Sequence, residues 1–186
     1  MEYWSIGILR SIPPLFHYSI IPRMDIYDFL QSHGIEYQRF DHPAVFTCEQ
    51  ASELRMPIPG KDTKNLFLRD EKGKRHFLVT VGHEKQVDIK ALKKMFATQK
   101  LSFASPERLK EHLGVEPGSV TILGLVNDSE HQVEVFIDEA VWTAEAVCCH
   151  PLVNTATLCI SHAGLEAFLK ATGHTPHVVD VPAISR

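Results

Sequence analysis

Asn65-Leu66-Phe67-Leu68-Arg69 and His76-Phe77-Leu78-Val79-Thr80-Val81, separated by Asp70-Glu71-Lys72-Gly73-Lys74-Arg75, form the stretch on which the reading of this chain turns. Both runs are apolar-rich and of strand length, and the turn Glu71-Lys72-Gly73-Lys74 carries the glycine that a tight reversal favours. A β-hairpin is expected. Just before it, Lys64 stands where a loop bearing Pro57, Pro59 and Gly60 enters the first strand. Such a loop is free to shape the rim of a pocket.

Outward from the hairpin, helices and strands follow one another without a regular βαβ series. Asp25 caps a helix through about residue 33, with Ile26, Phe29 and Leu30 on one face and Gly34 as its stop. A short strand follows over residues 36–40, and Thr47 with Gln50 has the spacing of a capping box for a helix through residue 55. Beyond the hairpin, Asp88 opens a basic amphipathic helix through residue 96, and Ser105-Pro106 opens another that ends at Gly114. An apolar stretch over residues 120–126 runs into a turn at Asn127-Asp128. Strands are expected over residues 133–137, 144–148 and 157–160, then a helix over 163–171 stopped by Gly173, and a last strand over 177–181. This order predicts one α+β domain, a mixed and largely antiparallel sheet flanked by helices.

The chain has 186 residues, 44% of them hydrophobic and 23% charged, enough for a domain that buries its own core. It contains no run of 18 apolar residues, which excludes a membrane-spanning helix. The first 23 residues are interrupted by Pro13, Pro14 and Pro22 and lack the order of a signal peptide. Met24 directly precedes the first helix start, so the domain is expected over residues 24–186, with 1–23 as an extension. The four cysteines, Cys48, Cys148, Cys149 and Cys159, are too few and too irregular for a disulfide framework. A reducing, cytoplasmic setting with buried structural cysteines is the expectation.

The net charge of −4 argues against a nucleic-acid partner until its distribution is considered. Residues 55–100 hold 12 of the 19 basic side chains and five acidic ones, a local balance of +7 against −11 elsewhere. Lys72, Lys74 and Arg75 cluster at the hairpin turn, and Lys90, Lys93 and Lys94 on the basic helix. This asymmetry is that of a phosphate-docking face on an acidic protein, or else of solvated element surfaces.

No phosphate loop, G-x-G-x-x-G, H-E-x-x-H or G-x-S-x-G motif is present. If Cys148-Cys149-His150 lies on a strand, its neighbours point to opposite faces, so Cys149 and His150 do not form a dyad. Cys148 with His150 supplies only two ligands, short of a zinc site. His150 draws attention because Pro151 ends strand pairing there, placing the imidazole at a strand end beside a loop.

Four blocks then carry a resemblance: Asp41-His42-Pro43-Ala44-Val45-Phe46-Thr47; Lys64-Asn65-Leu66-Phe67-Leu68-Arg69-Asp70; Leu113-Gly114-Val115-Glu116-Pro117-Gly118-Ser119-Val120-Thr121; and His150-Pro151-Leu152-Val153-Asn154-Thr155. In this order, across nearly the whole chain, they resemble the prolyl-tRNA editing-domain family. The resemblance implies trans-editing hydrolysis of mischarged tRNA(Pro), most of all Ala-tRNA(Pro), in the cytoplasm, with no metal or organic cofactor and no membrane or DNA partner. Prolyl-tRNA synthetase is a candidate further partner. It implies that Lys64 orients the terminal adenosine end and that His150 lines the same pocket, these two being the expected catalytic residues. Asn65, Phe46, Thr47, Asn154 and the loop of Gly118, Ser119, Val120 and Thr121 are the expected substrate-binding residues. The family loop usually reads Gly-x-x-x-Pro, and here the last position is Ile122. That departure bears on rate and amino-acid preference, and it keeps open a non-catalytic regulator that binds charged tRNA or a free amino acid; a Cys-tRNA(Pro) deacylase of the same fold, whose pocket would differ only in detail, is the other alternative.

Overall fold

A ten-residue strand, β2 (Lys61–Asp70), organises the molecule because it is paired along both of its edges. The computed structural model describes residues 25–44 and 59–184. The expected capping-box helix after Thr47 and the extension 1–23 lie outside them. β2 pairs antiparallel with β3 (His76–Gly82) through the predicted hairpin, Lys64 opposite Val81 and Arg69 opposite His76. All seven residues of β3 are buried, which reflects its position between β2 and the parallel strand β5 (Val133–Asp138).

On its other edge β2 has two partners in succession. Its first residues pair parallel with β6 (Ala146–Cys149), and its last three pair antiparallel with β4 (Leu101–Phe103). β6 continues antiparallel to β7 (Ala156–Ser161), and β7 to β1 (Tyr37–Asp41). At the far end β8 (His177–Val179) lies parallel to β5. The described strands thus run β1-β7-β6-β2-β3-β5-β8, with β4 beside β2. Four of these pairings are antiparallel and three parallel, so the α+β reading with a mixed, largely antiparallel sheet holds.

Each face of the sheet has its own core. Phe67 and Leu78 join Val135 and Ile137 on one face, beneath α1 (Ile26–Ser32), α3 (Pro106–His112) and a 3-10 turn (Ile122–Asn127). α5 (His162–Ala171) adds Leu165, Phe168 and Leu169 to the same cluster. Leu68, Phe77, Val79 and Val81 face the other way, beneath Leu92 and Phe96 at α2 (Ile89–Met95). Each such side chain, fully buried, contributes roughly 1.5–3 kcal/mol from apolar burial. The expected caps are in place: Asp25 accepts from the Tyr27 and Asp28 amides, and Asp88 from those of Lys90 and Ala91.

Two elements differ from expectation, and one stretch without an assignment takes a definite form. The strand expected from residue 144 begins at Ala146, because the preceding chain is taken up by a four-residue helix, α4 (Glu139–Trp142), capped by Asp138. The apolar stretch 120–126 winds into the 3-10 turn, a structure too short to show a period. β8 stops at Val179, where the chain leaves the sheet and the Val181 amide donates to Asp138.

The cysteines also differ. Cys148 and Cys159 stand directly opposite in the β6–β7 ladder and are joined by a disulfide, whereas Cys149 is free and buried. The spacing alone implies no framework; a single bridge arises because hairpin register opposes the two positions.

Candidate active site

The two partners on the outer edge of β2 leave a gap between them. Pairing with β6 ends at Asp62, and pairing with β4 begins at Leu68. Lys64 lies in this interval, on the strand face that it shares by alternation with Leu66, and so on the face covered by α2. The parallel register sets Asp62 opposite Cys148. Carried two residues further, the same register aligns Lys64 with His150, just past the end of β6. Gly60 makes the approach possible: its φ is +126°, and a Cβ there would lie 3.0 Å from the Cys148 sulfur and 3.1 Å from the Ala146 carbonyl oxygen.

His150 is half-buried, and its Nδ1 donates to the Ala156 carbonyl at 3.0 Å across the β6–β7 turn. A carbonyl only accepts, so Nδ1 carries the proton and the neutral ring keeps a lone pair on Nε2. The pKa is held below the ordinary histidine value, first by burial and also by neighbouring His42, while the Ala156 bond and Asp62 oppose the shift. His42 lies with its ring centroid 6.2 Å from that of His150. Its Nδ1 donates to the Pro43 carbonyl at 2.9 Å, and its Nε2 accepts from the Thr157 hydroxyl at 3.0 Å. Among the described residues, the arrangement offers a cation on a strand edge without a ladder partner and a neutral imidazole able to accept a proton from water.

Other expected site residues are distributed unevenly. Asn65 turns to the opposite face from Lys64, and its side-chain oxygen accepts from the Thr80 hydroxyl at 2.7 Å. Asn154 occupies the β6–β7 turn, in which Leu152 has φ +65°. Gly118 is exposed with φ +88°, and the Ser119 amide closes its turn onto the Glu116 carbonyl. Val120 packs against the larger core, and buried Thr121 caps the 3-10 turn through the Leu123 amide. Thr121 is extended (φ −148°, ψ 151°), the conformation that a following proline enforces, and Ile122 is the first residue of the turn. The backbone here would therefore accept a proline, while the Ile122 side chain is buried in the larger core. Phe46 and Thr47 lie outside the described residues.

Cys149 is no nucleophile here, since complete burial pushes its thiol up to about 12. Among the described residues, no three His, Cys, Asp or Glu side chains group as metal ligands. Lys72, Lys74, Lys90 and Lys94 are exposed and Lys93 partly so, and α2 covers the face that bears Lys64. Arg75 is already engaged: it forks onto Glu134, donates to the Phe96 carbonyl and lies 4.7 Å over the Phe77 ring.

Sequence reasoning misses His42, Asp62 and Thr157 as site residues, although one signal for His42 is available. His42-Pro43 repeats the histidine–proline step of His150-Pro151, and it too marks a strand end. Asp62 and Thr157 carry no comparable mark, because only the strand register brings them beside the histidines.

Comparison with known proteins bears on the same region. The model of the aminoacyl-tRNA editing domain family matches residues 42–168. The prolyl-tRNA editing protein ProX of Acetoanaerobium sticklandii is 35% identical over 147 residues, covering 79% of this chain and 90% of that protein. The prolyl-tRNA synthetase associated domain-containing protein 1 of Danio rerio is 36% identical over 159 residues, covering 84% and 86%. A crystal structure described as a candidate trans-editing enzyme for prolyl-tRNA synthetase shares the fold at a TM-score of 0.63 and 21% identity, over 84% of this chain and 94% of that one.

Proposed function

This chain belongs to the aminoacyl-tRNA editing domain family and is an aminoacyl-tRNA deacylase, and from that premise we propose that it acts in trans on mischarged tRNA(Pro), with Ala-tRNA(Pro) as its preferred substrate. The observation that carries this reading is the gap in the edge of β2, where Lys64 stands in register with the neutral imidazole of His150.

The ester that joins amino acid to ribose is already activated, so the reaction asks for no protein nucleophile. Water attacks the carbonyl carbon, and the ribose oxygen leaves with a proton. In the proposed pose Lys64 holds the terminal adenosine end by its fixed positive charge, and His150 orders the water or takes its proton. The loop 118–121 closes around the ester, glycine allowing close approach of its backbone. A small pocket admits alanine and turns away the larger proline ring. Such sieving supplies discrimination that binding differences of only about 1–3 kcal/mol do not give a synthetase. The basic side chains of α2 and the hairpin tip, among them Lys72, Lys74, Lys90, Lys93 and Lys94, dock the acceptor stem. We place the activity in the cytoplasm, where charged tRNA is consumed, with prolyl-tRNA synthetase as the source of the error.

Deacylation of tRNA(Pro) charged with alanine, cysteine or proline tests the proposal. Alanine should be released fastest and proline not measurably above the uncatalysed rate. Lys64→Ala should remove most of the activity with little change in melting temperature. Preferred release of cysteine would move the assignment to the other mischarged tRNA, and an unchanged rate in Lys64→Ala at subsaturating substrate would sink the site.

A further inference from the structure

We propose that His42 is a positioning residue of the editing site: it clamps the β6–β7 turn and thereby fixes the His150 ring. The inference rests on the proposed role of His150 and adds to it a residue that acts through another.

The bonds around Ala156 carry the argument. The Ala156 carbonyl accepts the proton of His150 Nδ1 and so determines where the imidazole lies. The residues on either side of Ala156 are both held by His42: its backbone amide donates to the Thr155 carbonyl at 3.0 Å, and its ring Nε2 accepts from the Thr157 hydroxyl at 3.0 Å. The β1–β7 ladder ends at the same point, with Asp41 opposite Ala156. The turn needs such a tie, since Leu152 has φ +65°, a conformation that a γ-branched side chain rarely adopts without support from its surroundings. The Pro43 carbonyl fixes the tautomer of His42, since it accepts from Nδ1 and leaves Nε2 to receive the threonine hydroxyl.

The electrostatics agree. Among the described residues, the groups facing His150 are His42 from the end of β1, Asp62 from β2 and the Ala156 carbonyl from β7, with Lys64 in register beyond Asp62. His42 acts with burial to hold the His150 pKa down. Removing its ring takes away one lowering influence and opens the imidazole to water, so the pKa should rise.

The test is the pH dependence of deacylation in His42→Ala, His42→Gln, Thr157→Val and His150→Ala, each checked for folding by melting temperature. His42→Ala should lower kcat about tenfold, with KM for tRNA within about twofold, and move the acid limb of the rate profile up by about half a pH unit. His42→Gln, whose amide oxygen still accepts from Thr157, should recover most of kcat. Thr157→Val, which breaks the clamp but keeps the His42 ring, should reproduce the loss of kcat without the acid-limb shift, and it serves if His42→Ala does not fold. Wild-type kcat in both His42→Ala and Thr157→Val, with an unmoved acid limb in His42→Ala, would overturn the inference while leaving the role of His150 intact. Full activity in His150→Ala would overturn the reading on which it rests.

Discussion

Two pairs of histidines occupy opposite faces of one sheet, and they are built for different ends. His42 and His150 stand at strand ends on the face of α2, half-buried, each with Nδ1 tied to a backbone carbonyl. His76 and His112 lie on the other face between β3 and α3, both buried, their rings 4.0 Å apart and His76 stacked on Phe67. The Arg108 guanidinium donates to His76 Nε2 at 2.7 Å, which leaves the proton on Nδ1, an atom without a hydrogen-bond partner among the described residues. Burial, aided by His112 and Arg108, pushes the His76 pKa down to about 4. Both faces therefore hold a histidine with a lowered pKa, and one of the two, His76, is packed shut. A perturbed pKa marks a candidate site only where the chain also leaves an opening, and among the described residues the edge of β2 between Asp62 and Leu68 is one.

Activity should separate the pairs most sharply. His150→Ala is expected to lower kcat/KM for mischarged tRNA by roughly 100-fold or more, the scale of a lost proton-transfer partner. His76→Phe, which keeps the stack on Phe67, should retain activity within about twofold below its melting temperature, since it touches nothing on the α2 face. A comparable loss in both variants, at a temperature where both are folded, would erase the distinction.

Stability in acid should reverse the ranking. Unfolded His76 takes a proton near 6.5, whereas in the folded chain it resists until about 4. Across that interval the unfolded state binds more protons, so the contribution of neutral His76 is complete above about 6.5 and is lost as the pH falls towards 4. Melting temperature measured from pH 7 to 4 should fall steeply in the wild type and less steeply in His76→Phe. Parallel curves would mean that acid unfolding is set elsewhere.

The contrast between the faces also shows where sequence was a sufficient guide. The hairpin, the caps at Asp25 and Asp88 and the stop at Gly173 were legible because each depends on neighbours a few residues away. The basic helix was legible for the same reason. Two features were not: the gap beside Lys64 and the Cys148–Cys159 bridge both follow from which strands meet and in what register. The Lys64 and His150 assignments came from ordered blocks of family likeness, not from local chemistry. His42 was within reach of the proline argument applied to His150, but the bonds that make it useful run to Thr155 and Thr157, more than a hundred residues along the chain.

The last difference between the faces is charge, and it predicts the smallest effect. Lys90 and Lys94 are exposed on α2, one turn apart, over the Lys64 face. Lys110 and Lys170 sit on α3 and α5, which cover the opposite face. If the α2 face docks the acceptor stem, Lys90→Glu with Lys94→Glu should raise KM for tRNA several-fold at low salt. It should also reduce the slope of log KM against log salt by about 2, one for each phosphate that no lysine then neutralises. Lys110→Glu with Lys170→Glu changes the net charge equally and should do neither. A minimal aminoacyl-adenosine substrate, which reaches only the Lys64 site, should be hydrolysed equally by both double variants. Equal rises in KM for both pairs would mean that the tRNA senses net charge and not a face. A slower rate on the minimal substrate in the α2 variant would place the damage in the site itself, and the docking assignment of Lys90 and Lys94 would fall.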